Sequence, residues 1–208
     1  GHNDITQVKY IKNIGQWNNN IHYKANIPEG VLYLEKNLFT YYFYNSKQVE
    51  EFQHLSHKKS GEEEKVDGYA FRMEFLGSNK EVIITGSEVL PEYHNYFTDN
   101  DKKKWKGRVP IYNIVNYTSI YNGIDLKVYS EGIFLKYDFI ISAGADPNKI
   151  QLSYNGVNPV LQDDNLNIDI GFNTIIEQKP IAYQIIEGVK TKIDCQFRLK
   201  KNIVSFVF

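Results

Sequence analysis

In the stretch "YAFRMEFLG", residues 69–77, large apolar side chains fall on every second position. Tyr69, Phe71, Met73 and Phe75 take one side, and Ala70, Arg72 and Glu74 take the other. A period of two is that of a pleated strand with one buried and one wet face. The pattern recurs along the chain. "VLYLEKNLFTYYFYN" (31–45) reads as two short strands around Glu35, Lys36 and Asn37, with Asn37 suited to a left-handed turn. "EVIITG", "IYNIVNYTSIY" and "GIDLKVYSEGIFLKYDFII" continue it. Composition agrees, because 16 Tyr and 12 Phe are residues that suit a half-buried pleated surface. No repeat of fixed period is present, which argues against a propeller or solenoid. The expectation is an all-β fold, an antiparallel β-sandwich with at most one short helix. It is read as a single domain over 1–208, with two stacked smaller sandwiches as the alternative.

Two interruptions carry information. After Asn45 the alternation stops and a charged segment, about 46–67, reads as a long loop or short helix. Asn45 is its cap, Gln48 completes the capping pattern, and Val49 and Phe52 share one face. In "KYDFIISAGADPNKI" (136–150), Gly144 supplies a corner, and Asp146 before Pro147 is a helix-start signature, so "DPNKI" reads as a single helical turn. A phosphate loop needs more glycines and a longer helix. In the hairpin around Ser130, charge pairing favours Leu126 opposite Leu135, which sets Asp125 against Lys136.

A chain of 208 residues can bury about 70–75% of the surface its unfolded form exposes. Its net charge of −1 provides no general basic field for nucleic acid or anionic lipid, and no apolar run is long enough for a spanning helix. Cys195 is the only cysteine, so neither an intrachain disulfide nor a cysteine zinc cluster can form. Its strand-like setting, "IDCQFRL", suggests an inert thiol.

The candidate chemical motifs are sparse. His54 and His57 lie beside Glu62, Glu63 and Glu64, but the zincin spacing is missing and a solvated segment is the ordinary reading. "TDNDKKKW" and "QDDNLNIDIG" cluster Asp and Asn without a full calcium-loop ligand set. Asp163, Asp164 and Asn165 instead suit a hairpin turn, with Asn167 and Asp169 facing outward. No nucleophile elbow is present, and no acidic pair stands out among 25 carboxylates. Neither a metal nor a cofactor is expected. Trp17 in "GQWNNN" and Trp105 in "KKKWKG" lie in polar, turn-rich surroundings, which makes them the candidate ligand-binding residues. Packing at a core edge is the competing reading for both.

Four segments carry a family resemblance: "NIGQWNNNIHYKANIPEGVLYLEKNLFTYYFY", "NYFTDNDKKKWKGRVPIYNIVNYTSIYNGIDLKVYS", "LKYDFIISAGADPNKIQLSYNGV" and "IIEQKPIAYQ". Together they resemble the uncharacterised N-terminal domain of secreted Bacteroidetes proteins, which often precedes SBBP β-propeller repeats or gliding-motility-associated C-terminal modules. The run from Asn95 through Val157 is the most specific part. Leu38 departs from the glycine common after Asn37, and the sequence stops at "NIVSFVF" where relatives usually continue. The resemblance implies export, with signal-peptide removal, and an extracellular or outer-surface setting within a longer polypeptide. It supplies no catalytic residues.

The functional expectation is a non-catalytic extracellular or cell-surface module for adhesion, glycan or protein binding. Its partners would be an extracellular glycan or protein, or downstream domains of the same polypeptide, with no nucleic acid and no membrane insertion. The alternative is a structural cap or spacer for a downstream domain, and a third reading is an uncharacterised hydrolase.

Overall fold

The computed structural model describes residues 5–55 and 66–208. The first strands are β1 (Tyr10–Lys12), β2 (Ile21–Ile27), β3 (Gly30–Glu35) and β4 (Leu38–Tyr44), followed by the helix α1 (Ser46–Leu55). Next come β5 (Gly68–Phe75), the long pair β6 (Ile83–Tyr96) and β7 (Lys106–Tyr121), β8 (Ile124–Glu131) and β9 (Phe134–Ile141). The remainder comprises β10 (Leu152–Asn155), β11 (Val160–Gln162), β12 (Asn165–Asp169), β13 (Thr174–Glu177), β14 (Ala182–Ile186), β15 (Val189–Ile193), β16 (Gln196–Lys200) and β17 (Ile203–Val207). All described pairings are antiparallel, and the protein is all-β and sandwich-like.

One large sheet runs β16-β17-β10-β5-β4-β3-β2-β1-β7-β8-β9, with β6 on β7. The manner of its folding follows from β7. Tyr112 faces Tyr10 of β1 on one edge and Val89 of β6 on the other, whereas Val115 faces Val128 of β8 and Gly86 of β6. Since β6 holds one edge throughout, β1 and β8 share the opposite edge. The strand therefore leaves one layer and enters the next, as strands do at sandwich corners. Register shifts in β6–β7 and between Tyr117 and Tyr121 accompany this passage.

Folding over brings the two ends of the sheet together. Phe139 of β9 packs edge-on against Phe75 of β5, centroids 6.2 Å apart, and against Phe206 of β17 at 6.1 Å. Tyr117 fills the same interior beside Phe39 and Phe75. A small sheet, β11-β12-β13, adds buried Leu166 and Ile168 to this core. The hairpin β14–β15 pairs only with itself among the described residues.

Several local expectations agree with the structure. Phe71, Met73 and Phe75 are buried, and Asp163 and Asp164 form the β11–β12 turn with positive φ. Asp146 accepts from the Asn148 N–H and caps a 3₁₀ turn at Pro147–Lys149, with Gly144 at φ +82°. Three details differ. Asn37 is not among the residues with positive φ, so the β3–β4 turn needs no left-handed backbone there. Gln48 does not close a capping box. Its amide donates to Asp67 (2.8 Å) and its carbonyl accepts the Asp67 N–H (2.7 Å), clasping the base of the excursion, while the Asn45 carbonyl oxygen of its side chain accepts the Gln48 N–H. The side chains of His54, His57, Glu62, Glu63 and Glu64 lie outside the described part of the structure.

The third difference is the β8–β9 register. Leu126 pairs with Phe139 rather than Leu135, and Lys127 pairs with Asp138. Glu131 faces Phe134, leaving a two-residue turn, Gly132–Ile133, with Gly132 at φ +60°. A tight turn with glycine first fixes the register, and opposite charges then meet in a pair different from the one that charge alone selected. A β-carbon at Gly132 would meet only the Thr6 carbonyl oxygen, at an ordinary contact distance of 3.9 Å. Gly132→Ala therefore tests backbone conformation alone and is expected to cost about 1–2 kcal/mol. Denaturant midpoints of the two proteins check this, and an unchanged midpoint contradicts it.

Candidate functional site

Trp17 is positioned by the loop between β1 and β2. The Asn13 side-chain amide donates to the carbonyls of Trp17, Asn18 and Ile21, and its oxygen accepts the N–H groups of Gly15 and Trp17. Buried Gln16 ties the same loop to the Lys12 carbonyl and the Ile14 N–H. One asparagine thus organises "NIGQWNNN". The indole lies half-buried on the small core of Ile11, Val109 and Ile111, edge-on to Tyr96 at 5.3 Å. The Lys24 ammonium stands 5.4 Å from its centroid and 6.0 Å from that of Tyr33. Burial lowers the Lys24 ammonium from its usual range. Trp17 is therefore a core-edge residue with one side toward solvent.

Trp105 sits differently. It is 40% exposed, at the far end of the β6–β7 ribbon. Its indole N–H donates to the Asp99 carbonyl (2.7 Å), its ring meets Phe97 edge-on at 6.0 Å, and Lys102 stands 5.7 Å from its centroid. Tyr96 touches Trp17 while its chain neighbour Phe97 touches Trp105, so each candidate residue is tied to the same end of the β6–β7 ribbon by a separate aromatic pair. Lys106, opposite Tyr96, runs against Gly15, where an added β-carbon would meet its side chain at 3.0 Å.

The carboxylates of "TDNDKKKW" serve their own loop. Asp99 accepts from the Asp101 N–H and pairs with Lys104 at 3.4 Å, and these contacts hold its carboxyl below the usual range against slight desolvation. Asp101 caps the 3₁₀ turn Lys102–Lys104 by accepting from Lys103. Among the described residues, no group of three or more His, Cys, Asp or Glu gathers in metal-holding geometry. Cys195 is buried just before β16, and burial pushes its thiol up.

A second cluster lies at the edge of the core, around a half-buried acid. Glu177, the last residue of β13, reaches between the ends of the large sheet. Its Oε2 accepts from the Tyr154 hydroxyl of β10 (2.7 Å) and its Oε1 from the Tyr137 hydroxyl of β9 (3.2 Å). Burial raises the carboxyl above its ordinary value of 4.5, outweighing the two hydrogen bonds that favour the charged form. Burial also pushes the Tyr41, Tyr137 and Tyr154 phenols well up, so Tyr137 and Tyr154 remain donors. The sequence offered only an acid closing the apolar run "TIIE", because its partners come from strands 23 and 40 residues earlier.

A third feature is the β14–β15 hairpin. Ile181, Tyr183 and Ile185 follow each other at every second position and are 65%, 51% and 70% exposed. Across the ladder Tyr183 faces Lys192 and Ile185 faces Lys190, and the Lys190 ammonium lies 4.1 Å from the Tyr183 centroid. An apolar stripe flanked by two lysines results.

Together these features define an antiparallel β domain with aromatic, basic and apolar side chains displayed on ribbons, and a carboxylate enclosed by phenols. Residues 10–208 match the family described as a domain of unknown function (DUF7948), and the chain belongs to that family. No curated protein and no solved structure matches it. No helix among the described residues is long and apolar enough to cross a membrane.

The Glu177 cluster predicts a pH dependence. A carboxyl whose folded-state value is raised binds its proton more tightly in the native state than in the unfolded chain. Its contribution to stability is therefore fully present below the unfolded value and is lost as pH rises through the raised folded value. Unfolding measurements from pH 4 to 8 are expected to show this loss in the parent and a flatter profile in Glu177→Gln. Parallel profiles contradict the assignment.

Proposed function

We propose that the chain is a non-catalytic docking module that holds a neighbouring folded protein domain against its β14–β15 hairpin. The observation that carries this reading is the Ile181–Tyr183–Ile185 stripe, more than half exposed at each residue and attached to no other sheet among the described residues. Contiguous apolar surface of this kind marks protein interaction sites, and an unpaired ribbon left bare is an association hazard. Lys190 and Lys192 at its flank suit a partner surface that is apolar at its centre and carboxylate-bearing at its rim.

The resemblance to domains preceding propeller repeats and surface modules in secreted Bacteroidetes proteins supports placing that neighbour in the same exported polypeptide, outside the cell. In this reading the module works as a cap or spacer that fixes its neighbour, and adhesion is the task of the assembled polypeptide. A hydrolase has weaker support, since the enclosed Glu177 spends both oxygens on tyrosine hydroxyls.

The test compares hydrogen exchange in this chain alone with exchange in a polypeptide that carries it together with its neighbouring domain. Amides across residues 181–193 are expected to exchange more slowly in the longer protein, and Ile185→Lys to erase the difference. The same substitution should leave the isolated chain's stability within about 0.5 kcal/mol, as expected at an exposed site. Equal exchange in both proteins contradicts the docking role.

A further inference from the structure

The geometry points to the far end of the β6–β7 ribbon as a binding site for an anionic polysaccharide, one whose sugar rings carry carboxylate or sulfate groups. This surface is separate from the β14–β15 hairpin, and the inference does not rest on the docking role.

Five cations fall within the seven residues "KKKWKGR", Lys102–Arg108, of a chain whose net charge is −1. The adjoining acids do not cancel them. Only two stand in the same loop, Asp99, which pairs with Lys104, and Asp101, which caps the turn, so a net positive charge remains. Among the described residues, Lys102, Lys103, Lys106 and Arg108 have no carboxylate within 4 Å. Exposed aromatic rings are interleaved with these charges: Tyr93, Phe97 and Trp105 are 50%, 52% and 40% exposed. Arg108 stands 5.7 Å from the Tyr93 centroid, and Lys102 stands at the same distance from that of Trp105. Arg108 also holds φ +55°, a left-handed backbone costly for a non-glycine residue, with its N–H donated to the Asn95 side chain at 3.0 Å.

An exposed ring with a cation 5.7 Å from its centroid matches a ligand that carries an apolar face and a negative group on the same ring. A pyranose presents a C–H face, and a uronic acid or sulfated sugar adds the anion at its rim. Single-stranded nucleic acid is also anionic and stacks, but its successive bases favour parallel platforms. Here the rings meet at steep angles, 65° for Phe97 with Trp105 and 78° for Trp17 with Tyr96. The surface suits a polymer whose rings turn relative to one another.

The test is affinity electrophoresis of the full chain in native gels containing polygalacturonate, dextran sulfate or unmodified dextran, with titration by a single-stranded oligonucleotide alongside. Retardation is expected with polygalacturonate or dextran sulfate but not dextran, and should weaken as salt rises. The two charged gels distinguish carboxylate from sulfate as the recognised group. Lys102→Ala with Trp105→Ala should weaken retardation by about tenfold, equivalent to ~1.4 kcal/mol. Lys102→Gln with Lys106→Gln, which spares the rings, should also weaken it, and melting curves confirm that both variants are folded. Lys190→Ala with Lys192→Ala on the other hairpin should change nothing. Absence of retardation in both charged gels, equal retardation in dextran, indifference to the ribbon substitutions, or tighter binding of the oligonucleotide overturns the inference.

Discussion

The structure depends on the inward face of one antiparallel sheet packing against itself. Alternating strands give that sheet a continuous apolar side, and a flat sheet would leave it in water. Passage of β7 from the β1 layer to the β8 layer turns the sheet over, so that Phe139 near one end meets Phe75 and Phe206 near the other. Edge-on aromatic pairs of this kind are worth about 0.5–1.5 kcal/mol each beyond the area they bury. The buried rings of Phe39, Phe75 and Tyr117 fill this interior together with aliphatic side chains such as Leu32, Leu34, Ile120, Ile124 and Leu126.

Closure also gives Glu177 its environment. The small sheet supplies the acid, while the hydroxyls that receive it come from β9 and β10, which are far apart in the ladder and adjacent only after the fold-over. The carboxylate is thus a polar tie among three parts of one core, stabilised by hydrogen bonds and penalised by burial. The two displayed surfaces use the opposite arrangement. The β14–β15 hairpin and the end of the β6–β7 ribbon instead leave large side chains exposed. Both combine rings with lysine or arginine, though the hairpin carries an aliphatic stripe and the ribbon a denser set of cations.

Strand identity was legible because the period-two signal is local and repeated; residues 69–75 show on their own which face is buried. The Asp146–Pro147 corner was legible for the same reason, since its chemistry lies within three residues. The β8–β9 register does not follow from cross-strand charge, because those terms are small and the glycine-first turn at Gly132 outweighs them. Trp17 and Trp105 looked alike in sequence, each in a polar stretch, yet a tertiary contact with Ile11, Val109 and Ile111 draws only Trp17 onto a core edge. Glu177 was hidden because a half-buried acid is recognisable only with its partners. The hairpin "IAYQIIEGVKTKI" was hidden because apolar strand residues read the same whether or not anything covers them.

The central claim, closure of one sheet on itself, is tested most directly by nuclear Overhauser contacts among aromatic side chains in solution. The account predicts cross-peaks from the Phe139 ring to the rings of both Phe75 and Phe206, across residues 64 and 67 positions apart in sequence. An assigned spectrum with intact β-strands in which Phe139 contacts neither ring would contradict it.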